Sequence, residues 1–154
     1  MALRYEIPGA NAIEVEHLLL DVNGTLTRGG ELLDGVAERL RRLAGDLSVE
    51  LLSADTRGSL ERVAAALDAN GTRVERGEEK AELVRERGPR RCAAIGNGAN
   101  DAQMLATAAV GIAVAGPEGA ASRALLAADI VCGSILEALD LLLDERSLAS
   151  TLRP

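Results

Sequence analysis

Short, continuously apolar runs alternate along this chain with longer stretches in which apolar residues recur every three or four positions. His17-Leu18-Leu19-Leu20-Asp21-Val22 is the clearest of the runs and predicts a strand buried on both faces. Val49 to Leu52 predicts a second strand, Thr72 to Val74 a short third, Cys92 to Ile95 a fourth, and Val110 to Val114 and Ile130-Val131 two more. Between them, Leu33 to Ala44 places Val36, Leu40 and Leu43 on one face with charges in between, the pattern of an amphipathic helix. Helices are also predicted over Ser59 to Leu67, Glu79 to Arg87, Asn100 to Ala108 and Ser134 to Leu143, with a frayed end beyond. Leu3 to Glu16 reads as two extended pieces around a Pro8-Gly9 turn, an N-terminal β-hairpin. Strands alternating with helices build right-handed βαβ units around a parallel sheet. The pattern predicts a single doubly wound, Rossmann-like α/β domain over residues 1–154, without linker, repeat or low-complexity stretch. In such sheets ligands gather at the carboxyl ends of the strands.

Composition narrows what that fold can serve. The chain has 154 residues, 47% of them hydrophobic, which is enough for one core. It has no Trp, no Phe and one tyrosine, Tyr5, so the core is aliphatic and no aromatic platform for stacked bases can be built. A net charge of -7 opposes a phosphate backbone, and a nucleic-acid-binding module is excluded. The longest uncharged stretch, 102–117, is interrupted by Gly111, Gly116 and Pro117 and falls short of the roughly 20 apolar residues a membrane span needs. The N-terminus lacks the long apolar run of a signal peptide. Cys92, Cys132 and the single His17 are too few for a structural zinc site, and the cysteines read as buried, reduced thiols of a cytoplasmic protein. His17 reads as a packing or edge residue, and Arg85, Arg87, Arg90 and Arg91 as a solvated face.

One imbalance points to chemistry. The 17 basic residues include a single lysine, Lys80, a compact ammonium that the wide fork of arginine cannot replace in a tight pocket. Other reactive groups fall at predicted strand ends: Asp21 in DVNGTLT, Ser53 in LLSAD, and Asn97, Asn100 and Asp101 in IGNGANDAQML. An aspartate ending a buried strand is costly unless its carboxylate is used. The set suits phosphoryl transfer. Asp21 can attack phosphorus in line, while Ser53, Lys80 and the backbone N–H groups of the Gly24 turn hold the equatorial oxygens. A hard cation such as Mg²⁺ on Asp21 and Asp101 would offset repulsion between the carboxylate and an anionic substrate.

These strings, in this order over residues 17 to about 115, resemble the four motifs of the haloacid dehalogenase (HAD) superfamily. DVNGTLT and GNGANDAQML are most similar to the phosphorylation domain of P-type cation ATPases; without membrane helices, the resemblance is to small soluble proteins related to that domain. It implies a Mg²⁺-dependent phosphohydrolase that forms an aspartyl phosphate on Asp21, with Asn23 and Lys80 beside the nucleophile. It further implies that Gly24, Ser53, Ala54, Lys80 and Asn100 bind phosphate, and that Asp21, the Asn23 backbone carbonyl, Asn97 and Asp101 serve the metal.

Two departures bear on rate. Phosphatases of the superfamily usually carry a second aspartate two residues after the nucleophile, as proton donor and then base, and Asn23 cannot exchange a proton in that way. Loss of such a group costs about 10²–10⁴-fold. Asn97 also stands where many relatives have aspartate, so metal affinity and turnover are expected to be low. The intervals between Asp21, Ser53 and Lys80 are filled by predicted strand and helix, leaving only a short flap around Arg28-Gly29-Gly30 and no room for a cap domain. The open site implies a macromolecular phosphorylated substrate, or enclosure by a neighbouring subunit of a homo-oligomer. Asp55 and Thr56 read equally as substrate contacts or a helix cap. Two other readings stand beside the phosphohydrolase. A catalytically weak, phosphate- or nucleotide-binding regulatory domain acting through a partner fits Asn23 and Asn97. A receiver-like domain phosphorylated on Asp21 lacks the acidic pair of an earlier strand and leaves GNGANDAQML without a role.

Overall fold

The structure, a computed structural model, describes residues 1–54 and 58–154. The chain opens with a hairpin of β1 (Leu3–Tyr5) and β2 (Ile13–Val15), as the Pro8-Gly9 turn predicts. Next come β3 (His17–Asp21), a small hairpin of β4 (Thr27–Arg28) and β5 (Glu31–Leu32), α1 (Val36–Ala44), β6 (Ser48–Ser53) and α2 (Ser59–Leu67). The chain continues through β7 (Asn70–Arg73), α3 (Gly77–Arg87), β8 (Cys92–Gly96), α4 (Ala102–Thr107), β9 (Val110–Val114), α5 (Ser122–Ala127), β10 (Ile130–Cys132), α6 (Ile135–Leu143) and α7 (Glu145–Thr151).

Six strands form a parallel sheet in the order β10-β9-β8-β3-β6-β7. From the central β3 the chain runs outward through β6 to β7, then crosses by α3 to β8 on the other side. That reversal makes a topological switch point beside the end of β3. The continuous apolar runs divide by twos. Leu18, Leu20, Ala93 and Ile95 face α1, α2 and α6, while Leu19, Cys92 and Ala94 face α3, α4 and α5. Alanines at 94, 108, 113 and 124 keep the second layer thin, so α4 and α5 lie close on the sheet. The Tyr5 hydroxyl, fully buried, donates to the Leu142 carbonyl at 2.6 Å and ties the first hairpin to α6.

Several boundaries differ from the sequence pattern. α1 starts at Val36, because Leu33 is still bonded back to Leu26 and Gly35 takes a left-handed φ of +87°. The predicted strand at 72–74 runs over Asn70–Arg73, a polar edge strand held to β6 partly by Thr72 donating to Glu50 at 2.7 Å. The helix predicted from Asn100 begins as a 3₁₀ turn over Ala99–Asp101. The end does not fray: Asp144 caps α7 by accepting from the Ser147 N–H at 3.1 Å, and Leu148 is buried. Arg87 and Arg91 are not simply solvated, since they pair with Glu50 at 3.2 Å and Glu16 at 2.8 Å, whereas Arg85 and Arg90 are exposed. His17 is half-buried at the start of β3; Cys92 is buried and Cys132 only half-buried, and both thiols are free. Among the described residues no helix is long and apolar enough to cross a membrane.

Candidate active site

The carboxyl ends of β3, β6 and β8 bring together the residues that the motifs single out. Asp21 is the last residue of β3 and Ser53 the last of β6; Gly96 ends β8 and leads into the turn carrying Asn97 to Asp101. Lys80 comes from the first turns of α3. Its ammonium, 2% exposed, lies 3.0 Å from Asp21 Oδ1 and 2.7 Å from Asp101 Oδ1. One compact cation thus bridges two carboxylates that are 7% and 0% exposed, a geometry suited to the single lysine.

Asp101 is fully buried. Its second oxygen accepts the backbone N–H groups of Asn97 at 3.1 Å and Gly98 at 2.9 Å, so both oxygens are engaged. A side chain at Gly96 would collide with this carboxylate, which explains the glycine there. The acid therefore anchors the loop and orients Lys80. These three bonds account for what the structure shows of its carboxylate.

Asp21 keeps its second oxygen toward Thr25, whose hydroxyl lies 3.0 Å from Asp21 Oδ2 and 3.1 Å from Asn97 Oδ1. The Asn97 amide is oriented by Nδ2 donating to the Gly119 carbonyl at 3.1 Å. A hydroxyl has one proton, so two acceptor oxygens share one donor and one of them stays short. Asn23 donates from Nδ2 to Ser53 Oγ at 3.2 Å, which ties the ends of β3 and β6 together. Gly24 has a φ of +78°, and a Cβ there would stand 3.0 Å from Asn97 Nδ2 and 3.1 Å from Glu118 Cδ. Its backbone can turn tightly at that point because it has no side chain. Ala54 and Asn100 border the crevice as exposed positions. Asp55 and Thr56 lie outside the described residues.

Burial pushes the Asp21 carboxyl up to about 6, with Asp101 adding repulsion and Lys80 and Thr25 opposing the rise. For Lys80 burial works against the charge, but Asp21 and Asp101 outweigh it and hold the ammonium above its ordinary range. The donors that gather at Thr25 are hard oxygens, the Asp21 carboxylate and the Asn97 amide oxygen. That set fits Mg²⁺, which takes one or two carboxylates and completes its shell with water and substrate phosphate. Among the described residues no three His, Cys, Asp or Glu side chains gather as a dedicated metal cage. Thr25 and Glu118 were not marked as site residues by sequence. Thr25 sits inside the first motif, and Glu118 in the turn-forming Gly116-Pro117-Glu118-Gly119.

Solved structures share this architecture. A 3-deoxy-D-manno-octulosonate 8-phosphate phosphatase from Moraxella catarrhalis, in complex with magnesium ion, phosphate ion and KDO, superposes with a TM-score of 0.65 at 19% identity over 85% of this chain and 87% of that one. A zinc-transporting PIB-type ATPase in its E2.Pi state gives a TM-score of 0.64 at 24% identity, over 77% of this chain and 20% of the ATPase. The same fold is seen in a putative HAD family hydrolase from Streptomyces avermitilis, with a TM-score of 0.65 at 21% identity over 85% of this chain and 84% of that one. No family model matches the chain. An uncharacterized protein of Methanocaldococcus jannaschii is 49% identical over 72 residues, 47% of this chain and 77% of the archaeal one, and this chain belongs to its family.

Proposed function

We propose that the protein is a Mg²⁺-dependent phosphohydrolase working through an aspartyl phosphate on Asp21. The observation that carries this reading is the buried Lys80 ammonium bridging Asp21 and Asp101 at the switch point of a HAD fold. The similar phosphatase whose structure contains magnesium and phosphate supports it.

Hydrolysis divides into two displacements at phosphorus. In the first, an Asp21 oxygen bonds to phosphorus as the ester P–O bond breaks; the electron pair leaves on the alcohol oxygen, which takes a proton from water. In the second, water bonds to phosphorus and loses a proton to solvent. The bond from phosphorus to Asp21 breaks, and carboxylate and inorganic phosphate are released. Lys80, Ser53 and the backbone N–H groups of the Gly24 turn hold the equatorial oxygens, with Ala54 and Asn100 at the border of the phosphate site. Bound by Asp21, the Asn23 carbonyl and Asn97, Mg²⁺ would neutralise charge on the phosphoryl oxygens. Asn23 has no proton to exchange and its amide is tied to Ser53, so both proton transfers fall to water and turnover is slow.

The test is a panel of phosphate esters with and without Mg²⁺, on the wild type and Asp21→Asn. Expected are slow, Mg²⁺-dependent hydrolysis, fastest for activated aryl phosphates, and its loss in the variant. Turnover that persists in Asp21→Asn overturns the assignment. Phosphate taken onto Asp21 and never released favours a regulatory domain that holds phosphate.

A further inference from the structure

The donor set around Asp21 has one carboxylate where the charge of the reaction calls for more. Asp101 is held by three bonds, one from Lys80 and two from its own loop, and positions 23 and 97 are amides. Glu118 stands beside them, on the loop after β9. Gly116 to Gly119 form a tight turn closed by the Gly119 N–H donating to the Gly116 carbonyl at 2.9 Å. Two bonds fasten that turn to the Asn97 loop: Asn97 Nδ2 to the Gly119 carbonyl at 3.1 Å, and the Ala121 N–H to the Asn97 carbonyl at 2.8 Å. The Glu118 carboxyl carbon and the Asn97 amide nitrogen then lie 3.1 Å and 3.0 Å from the same point, the place of the missing Gly24 Cβ. Glu118 is exposed and has no hydrogen-bond or ion-pair partner among the described residues.

An unpaired carboxylate fixed against the loop that receives a phosphoryl group repels it. A cation between the two reverses the sign. On the other side of the Asn97 amide, its oxygen and Asp21 Oδ2 compete for the single Thr25 proton, so this side chain joins the loop of Glu118 to the nucleophile's end of β3. We propose that Glu118 is the second carboxylate of the Mg²⁺ site, supplying from the loop after β9 the charge that Asn97 lacks while Asp101 is engaged with Lys80 and its own loop. The inference rests on the metal assigned with the proposed function, but not on turnover.

The experiment is calorimetric titration of the whole protein with Mg²⁺ alone, without phosphate ester, for the wild type, Glu118→Gln, and Glu118→Gln combined with Asn97→Asp. Hard-cation affinity follows the number of charged oxygens, so Glu118→Gln should weaken Mg²⁺ by about tenfold or more. The double variant should recover most of that loss, because it returns a carboxylate to the neighbouring position. Equal affinity in Glu118→Gln and wild type overturns the proposal, as does an absence of Mg²⁺ binding by the wild type. A loss that vanishes at about 0.5 M KCl also overturns it, since a screened effect is through-space and not ligation. A wild type that binds Mg²⁺ through Glu118 yet hydrolyses no ester refutes the phosphohydrolase and leaves this inference standing.

Discussion

Replacing Asp21 by asparagine should make the protein more stable while abolishing its chemistry. The carboxyl of Asp21 is pushed from its ordinary 3.8 up to about 6, chiefly by burial. The folded protein therefore keeps a proton between those values that the unfolded chain gives up. Stability associated with this group is complete below about pH 4 and is lost as the pH rises through 6. A rise of about two in pKa corresponds to about 3 kcal/mol at 1.36 kcal/mol per pH unit, the most that a neutral isostere can recover at pH 7.5. Asparagine also suits the local bonds. Its oxygen accepts from Lys80 and its NH₂ donates to the Thr25 hydroxyl, which is then free to donate to Asn97. Against this, Lys80 loses one of two anionic partners, although Asp101 remains at 2.7 Å. The expected net gain is about 2 kcal/mol at pH 7.5 and roughly half as much at pH 5, read from urea midpoints at an unchanged m-value in EDTA. A variant less stable than wild type at pH 7.5, or one whose advantage is the same at both pH values, would falsify the electrostatic reasoning.

Three other substitutions probe separate parts of the argument. Lys80→Met removes the cation and leaves two buried carboxylates facing each other, which should cost about 3–5 kcal/mol at pH 7.5, with partial recovery as acid protonates one of them; a loss under 1 kcal/mol in chemical denaturation would contradict the bridging role. Asn23→Asp should raise hydrolysis of alkyl phosphates by about tenfold to a thousandfold and of activated aryl phosphates much less, because only poor leaving groups need the proton; equal or lower rates on every ester would show that proton transfer does not limit turnover. Tyr5→Phe deletes the 2.6 Å bond to Leu142 and leaves a buried carbonyl unpaired, for an expected loss of about 1–3 kcal/mol in thermal or urea unfolding without effect on phosphate-ester kinetics.

The parallel sheet was legible because its strands are buried on both faces, so apolar runs such as Leu18 to Leu20 admit no other element between polar loops. Helix α2 was placed at its observed bounds by the same periodicity. The edge strand β7 was less legible: Asn70, Gly71 and Arg73 carry little apolar signal, and pairing with β6 makes them a strand. Helix α7 depends on Leu148 reaching a core assembled from distant segments, which no local window reveals. At the site, residue types at strand ends identified Asp21, Ser53, Lys80 and Asp101 as neighbours. Sequence did not reveal the direction in which Asp101 points, because that depends on the Asn97 and Gly98 N–H groups and on Lys80 arriving from α3. Thr25 and Glu118 escaped for the same reason, each having a place in the site only through another segment's loop.

The two asparagines acquire a common physical meaning from this arrangement. Asp21 is buried, and its ionisation is already opposed by burial and by Asp101. A third carboxylate at position 97 would share the Thr25 hydroxyl with it, and one at position 23 would lie two residues away on the same loop. At an effective dielectric of about 20, two like charges some 6 Å apart repel by about 3 kcal/mol, enough to lift a carboxyl pKa by about two pH units. Without metal, Asp21 would then hold its proton near neutrality and could not act as a nucleophile. Amides at 23 and 97 keep the carboxylate ionised above about pH 6 with Lys80 and Thr25 to support it. The cost falls on proton transfer and on metal affinity, where those acids would have acted. The exposed Glu118 is not among the groups that shift Asp21, so as a metal ligand it would favour a cation without raising that carboxyl further.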